Sequence, residues 1–306
     1  MSWQRAMPPE TQDAGSCAAI DTVIVPRMRD LGGFEVGRVL PSAQRQMVGP
    51  FIFFDQIGPA TFPPGRGIDV RPHPHIGLAT VTYLFDGTIV HRDSLGSLQP
   101  ITPGDVNWMT AGRGIVHSER SDPDIRKREE KLAGIQIWVA LPKRHEETAP
   151  GFAHHNVRAL PLVEGEGKSV RVVAGTIFGQ TSPVKILSDL YYADVTLDTG
   201  ASVSVESEHE ERAAYLVDGR IEADGTTFDP GRLLVFRAGS EVSLKAPEAA
   251  RLLLFGGEPM DGPRHIWWNF VSSSKERIEQ AKDDWRNNRF GTVPGDSEFI
   301  PLPEKP

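Results

Sequence analysis

The amino-acid sequence predicts an all-β protein that ends in a single helix. Glycine and proline are abundant, at 30 and 25 residues. They punctuate short runs rich in Val, Ile, Thr, Phe and Tyr, which is the pattern of a β sandwich or barrel. Turn sequences such as Asp86-Gly87 and Pro103-Gly104-Asp105 separate several of those runs.

In chain order, residues 1–20 carry little periodic signal and are expected to be loosely held. A first β series follows, with strands expected over 51–54, 78–85, 88–93, 106–110, 115–119 and 132–140. A second series covers 170–174, 190–197, 201–205, 213–217, 231–236, 242–245 and 252–255. Between them, 141–162 contains Pro142, Pro150 and Pro161 and reads as a connector. The chain is therefore expected to divide near residue 145, into a first unit over 21–145 and a second over 146–306. Ser273 with Glu276 fits a capping box, and Ile278, Ala281 and Trp285 share one face at helical spacing. That pattern predicts a helix over 274–287 packed on a barrel wall.

Composition narrows the function classes. Apolar residues make up 39% and charged residues 24%, ordinary values for a globular chain. The 41 acidic against 33 basic side chains give a formal charge of −8, which disfavours direct nucleic-acid binding. No stretch is long and apolar enough to span a bilayer, and the segment 1–18 mixes polar residues where a signal peptide needs an apolar core. The single cysteine, Cys17, cannot form an internal disulfide, so a cytoplasmic location is expected.

The chemistry lies in two short stretches. His73-Pro74-His75 places two imidazoles at i and i+2, on one face of an extended strand. His117-Ser118-Glu119 repeats the spacing with an imidazole and a carboxylate. Two such strands side by side would aim all four groups inward at one metal ion. Three imidazoles and a carboxylate suit Fe(II), and also Ni, Cu, Zn or Mn. Four protein ligands on a six-coordinate ion leave two positions open, as an oxygenase needs.

Those stretches also carry a family resemblance. The run from Pro50-Phe51 to Gly58-Pro59-Ala60, then His73-Pro74-His75, then Pro103-Gly104-Asp105 and the stretch from Trp108 to Glu119, resembles bacterial members of the pirin family of the cupin superfamily. A weaker similarity continues through Gly256-Gly257-Glu258-Pro259 and Arg289-Phe290-Gly291. The resemblance implies two cupin barrels packed face to face. It places iron in the first, on His73, His75, His117 and Glu119, and none in the second. It implies 2,3-dioxygenation of quercetin-type flavonols, with a flavonol and O2 as small-molecule partners and a monomeric chain. Glu119 is the candidate base for the flavonol 3-hydroxyl proton. The alternative that the resemblance permits is a metal-dependent regulatory protein that binds a transcription factor or a metabolic enzyme.

The sequence departs from the family pattern at two places. Ile76-Gly77-Leu78-Ala79-Thr80 contains no acid after the histidine pair, so Glu119 must supply the carboxylate, and Ala79 is expected to alter the pocket's surroundings. Glu208-His209-Glu210-Glu211 sits roughly where a histidine pair would fall in the second barrel, but 233–236 and 252–255 supply no further histidine. His91, His145, His154, His155, His209 and His265 are expected to be hydrogen-bonded structural residues. Trp108 and Met109 are expected in the core, Phe51, Phe53 and Asp55 in packing or at the barrel mouth, and Arg113 at its turn. His91-Arg92-Asp93 matches a kinase catalytic loop in spelling, but no glycine-rich loop accompanies it.

Overall fold

The computed structural model describes residues 17–30, 34–206 and 208–304. Two β barrels face each other, each a large sheet closed by a small one. In the first barrel the large sheet runs, in spatial order, Gly151–His155, Val106–Thr110, Leu78–Asp86, Glu130–Ala140, Phe51–Phe62, Glu35–Leu40 and Arg27–Asp30. Its small sheet is ordered Asp69–His75, Ile115–Arg120, Ile89–Asp93 and Leu98–Ile101. The second barrel repeats the order. Its large sheet runs Ile20–Ile24, Leu233–Phe236, Glu211–Asp218, Ala250–Gly257, Leu190–Leu197, Lys168–Ile177 and Leu162–Gly165. Its small sheet runs Ser202–Val205, Val242–Lys245, Ile221–Ala223 and Thr226–Phe228.

Edge strands cross between the two series. Ile20–Ile24 precedes the first barrel in sequence yet pairs with Leu233–Phe236 of the second. Gly151–His155 follows the expected division near 145 yet pairs with Val106–Thr110 of the first. An edge strand needs only a partner backbone of matching register, and nothing in its own periodicity says which sheet supplies it. Of the segment expected to be loosely held, residues 1–16 lie outside the described residues, and Cys17, Ala19 and Ile20 are buried in the second barrel's core.

Burial on both faces explains the continuous apolar strands. In Leu78–Asp86, Leu78 and Leu84 face the first barrel's interior, whereas Ala79, Val81 and Tyr83 face the second barrel. Ala79 therefore lies in the apolar interface between barrels, which corrects the expectation that it alters the pocket. Across that interface Phe51 and Phe54 pack on Phe255 with ring centroids 4.9 and 5.4 Å apart, and Phe54 on Tyr215 at 4.8 Å. The Tyr83 hydroxyl donates to Asp194 Oδ2 at 2.8 Å, and the Arg251 Nε–H donates to Asp194 Oδ1 at 2.9 Å. The interface thus satisfies the Tyr83 hydroxyl it buries, whereas the Tyr192 hydroxyl in the same cluster has no partner among the described residues.

The C-terminal segment returns to the first barrel. The helix α1 spans Lys275–Arg286, and its cap is Ser274, whose side chain accepts from the Arg277 N–H. Ser273, expected in that role, donates instead to Glu146. Ile278 and Ala281 are buried with Trp285 against them, and the group packs on Ile76 and Phe270 beside the first barrel. No helix among the described residues is long and apolar enough to cross a membrane.

Candidate metal centre

Strand pairing brings the two motifs together. Ile115–Arg120 runs antiparallel to Asp69–His75 with His117 opposite His73, and a register shift follows between His117 and Glu119. On its other side the same strand pairs with Ile89–Asp93, placing His117 opposite Asp93 and Glu119 opposite His91. Because side chains alternate along a strand, His73, His75, His117, Glu119, His91 and Asp93 can gather on one face of a three-strand patch.

Among the described residues, His73, His75 and His117 form a group whose candidate ligand atoms all lie within 4.8 Å of one another. All three rings are buried. The outer nitrogens of two of them meet backbone carbonyls, His73 Nδ1 at 2.8 Å from Arg71 O and His75 Nδ1 at 3.1 Å from Asn269 O. Each of these nitrogens carries the ring's proton, because a carbonyl can only accept. The inner Nε2 atoms of His73 and His75 therefore present lone pairs. His75 Nε2 and His117 Nε2 face each other at 3.1 Å. With His117 Nε2 unprotonated as well, two lone pairs converge there as they do on one shared cation, so the donor set fits a divalent metal ion. Burial in apolar surroundings holds all three imidazoles neutral: His73 falls to about 4, and His75 and His117 lie well below their ordinary value.

Glu119 stands next to this trio but apart from it. Its carboxylate is not one of the mutually close atoms, and its Oε1 accepts from the Thr82 hydroxyl at 3.0 Å. Thr82 also lies 3.0 Å from Gln136 Oε1. One hydroxyl proton cannot serve two acceptors, so the contact closes when the Gln136 amide is turned to donate to Thr82 and Thr82 donates to Glu119. Burial pushes the Glu119 carboxyl up, and the hydrogen bond from the Thr82 hydroxyl offsets part of that rise.

Trp138 forms one wall, edge-on to His75 at 5.1 Å and stacked on Phe53 at 3.9 Å, while Asp55 pairs with Arg38 at 2.8 Å. Phe51 instead faces the second barrel. Trp108 and Met109 are both buried, the first toward the other barrel and the second inward. The Arg113 N–H bonds Thr148 O at its turn, and its carbonyl accepts from Arg277. His154 bonds Asn107. Glu208-His209-Glu210 lies in the loop after Ser202–Val205, outside the strands that would aim a pair inward, and His209 meets Asp189 at 3.2 Å.

His91 is hydrogen-bonded as expected, and it also lies beside the trio, which the sequence reading did not anticipate. Its Nδ1 lies 3.4 Å from His117 Nδ1, and its Nε2 lies 2.9 Å from Asp93 Oδ2. The available signal was the i, i+2 spacing of His91 and Asp93, the same spacing that marked the other two strands.

The pirin family model matches residues 33–139, and the pirin C-terminal cupin domain matches residues 192–291. The chain belongs to the pirin family. A pirin-like protein of Caulobacter vibrioides is 52% identical over 93% of this chain and 100% of its own length. A Pseudomonas aeruginosa relative named "Putative quercetin 2,3-dioxygenase PA1205" is 39% identical over 86% of this chain and 82% of its own. The crystal structure of quercetin 2,3-dioxygenase from Acinetobacter baumannii superposes with a TM-score of 0.87 at 35% identity, covering 94% of this chain and 96% of that one. The pirin fold of two cupin barrels is thus shared over nearly the whole length.

Proposed function

We propose that this pirin is a metal-dependent dioxygenase acting on flavonols of the quercetin type, with Fe(II) held by His73, His75, His117 and Glu119. The observation that carries the reading is the trio of buried imidazoles, in which His75 Nε2 and His117 Nε2 face each other at 3.1 Å. The names of the Pseudomonas and Acinetobacter relatives support the substrate class. The first barrel is the metal-holding unit and the second barrel is its apolar partner.

The chain's own residues do the following work. His73 and His75 are held by backbone carbonyls, so their inner nitrogens need no reorganisation to bind an ion. The buried walls around Met109 and Trp138 exclude water from the reacting face. Glu119, anchored at one oxygen by Thr82, takes the 3-hydroxyl proton of the flavonol at its other oxygen. A bound ion supplies Lewis-acid stabilisation of the resulting flavonolate and the redox capacity that O2 addition across C2 and C3 requires.

The test is a turnover assay. Purified protein is loaded anaerobically with Fe(II), then mixed with quercetin and O2. Loss of flavonol absorbance accompanied by carbon monoxide release is expected. Absence of turnover with Fe, Mn, Co, Ni and Cu, in protein shown to have bound each metal, would contradict the reading.

A further inference from the structure

We propose that Asp93 and His91 form a positioning relay that fixes the tautomer of His117 and so aims its Nε2 lone pair at the ion. The proposal rests on the reading of His117 as a metal ligand.

The relay follows from counting protons along three side chains. Asp93 is fully buried. Its Oδ1 accepts the backbone N–H groups of Leu95 and Ser97 at 2.9 and 3.0 Å. Its Oδ2 is left for His91 Nε2 at 2.9 Å. Burial alone would raise the Asp93 carboxyl, but the bonds from His91 and Ser97 outweigh it and hold the group below its ordinary value. An ionised carboxylate only accepts, so His91 carries its proton on Nε2. In a neutral ring His91 Nδ1 is then a lone pair, and it faces His117 Nδ1 at 3.4 Å. That contact is favourable when His117 is protonated on Nδ1, which leaves His117 Nε2 bare and directed toward His75 Nε2. Unlike His73 and His75, His117 has no backbone carbonyl at its outer nitrogen among the hydrogen bonds described, and the His91–Asp93 pair takes that part. The relay is held in place from two directions. Phe152 stacks on His91 with centroids 4.2 Å apart and an interplanar angle of 10°, and strand pairing sets Asp93 opposite His117.

Asp93→Asn tests the relay without changing side-chain volume. The two backbone N–H donors keep the amide oxygen at the Oδ1 position, so the amide N–H must point at His91 and reverse the chain of donors. Long-range proton–nitrogen correlation spectra of the metal-free protein report which ring nitrogen of each histidine is protonated. In the wild type, His91 should be protonated on Nε2 and His117 on Nδ1. In Asp93→Asn both assignments should reverse, and Zn(II) affinity, measured by chelator competition, should fall about 10–100-fold. Wild-type His117 protonated on Nε2, or a doubly protonated His91, would overturn the relay, as would a variant with unchanged tautomers or unchanged affinity. If the variant fails to fold, the wild-type spectrum decides the matter. The expected tautomers in a protein that binds no Zn(II) would instead overturn the metal reading and leave the relay standing.

Discussion

Strand for strand, the small sheets of the two barrels match, yet their inward residues are opposites. In the first barrel, Asp69–His75, Ile115–Arg120 and Ile89–Asp93 carry His73, His75, His117, Glu119, His91 and Asp93. In the second, the corresponding strands Ser202–Val205, Val242–Lys245 and Ile221–Ala223 bury Val203, Val205, Val242, Leu244, Ile221 and Ala223 in one apolar cluster. The difference separates what the fold needs from what the site needs. An apolar interior suffices to close a barrel of this topology. The buried polar patch of the first barrel therefore serves something other than closure, since burying polar groups costs stability unless they are partnered.

Exchanging the interiors should give the largest effect. His73→Val with His75→Val gives the first barrel the residue type of the second, and divalent metal binding should disappear in equilibrium dialysis while the circular dichroism spectrum is retained. Retained stoichiometric binding would break the comparison. Glu119→Gln should lower kcat/KM for quercetin about 10²–10⁴-fold in the Fe(II) form, the range general-base removal produces. Full turnover in a metal-loaded Glu119→Gln protein would remove the proposed base.

The shared interface should respond next. Phe255→Ala removes a ring that packs on both Phe51 and Phe54 of the other barrel, and unfolding in urea should show a loss of about 3–5 kcal/mol in a single transition for both barrels. Two separate transitions would show that the barrels fold as independent units.

Between about pH 4 and 6.5, acid should act on the buried histidines of the first barrel. His73 is neutral in the folded protein down to about pH 4, whereas an unfolded histidine takes a proton below about 6.5. The unfolded state then binds more protons between those values, so stability is complete above about pH 6.5 and falls as the pH drops toward 4. For His73 this amounts to on the order of 3 kcal/mol, read from urea midpoints of the metal-free protein. The His73→Val, His75→Val protein should show a flatter profile. The smallest effect should come from Ser274→Ala, which removes the cap of α1 and should cost about 1 kcal/mol.

The parts of this architecture that were legible in the sequence are those written in local period. His73 with His75 and His117 with Glu119 repeat every two residues, and the strands at Val106–Thr110, Leu190–Leu197 and Val242–Lys245 begin and end where turn residues place them. What was hidden depends on contacts distant in sequence. Ala79 could be assigned to the interface only once Leu78–Asp86 had a second barrel behind it. His91 acquired its neighbour through pairing with Ile115–Arg120, and its own spelling pointed to an unrelated loop. The crossed edge strands Ile20–Ile24 and Gly151–His155 are short and partnered across long stretches of chain, so no local pattern assigns them to a sheet. Glu119 lies between these cases, since a register shift follows His117 and its carboxylate meets Thr82, neither of which spacing alone reveals.

Metal stoichiometry addresses the central claim most directly. Metal-free protein equilibrated anaerobically with Fe(II) and freed of excess should retain one ion per chain, and the His117→Ala protein should retain none. An ion that persists in His117→Ala, or a wild type that binds none, would contradict the account.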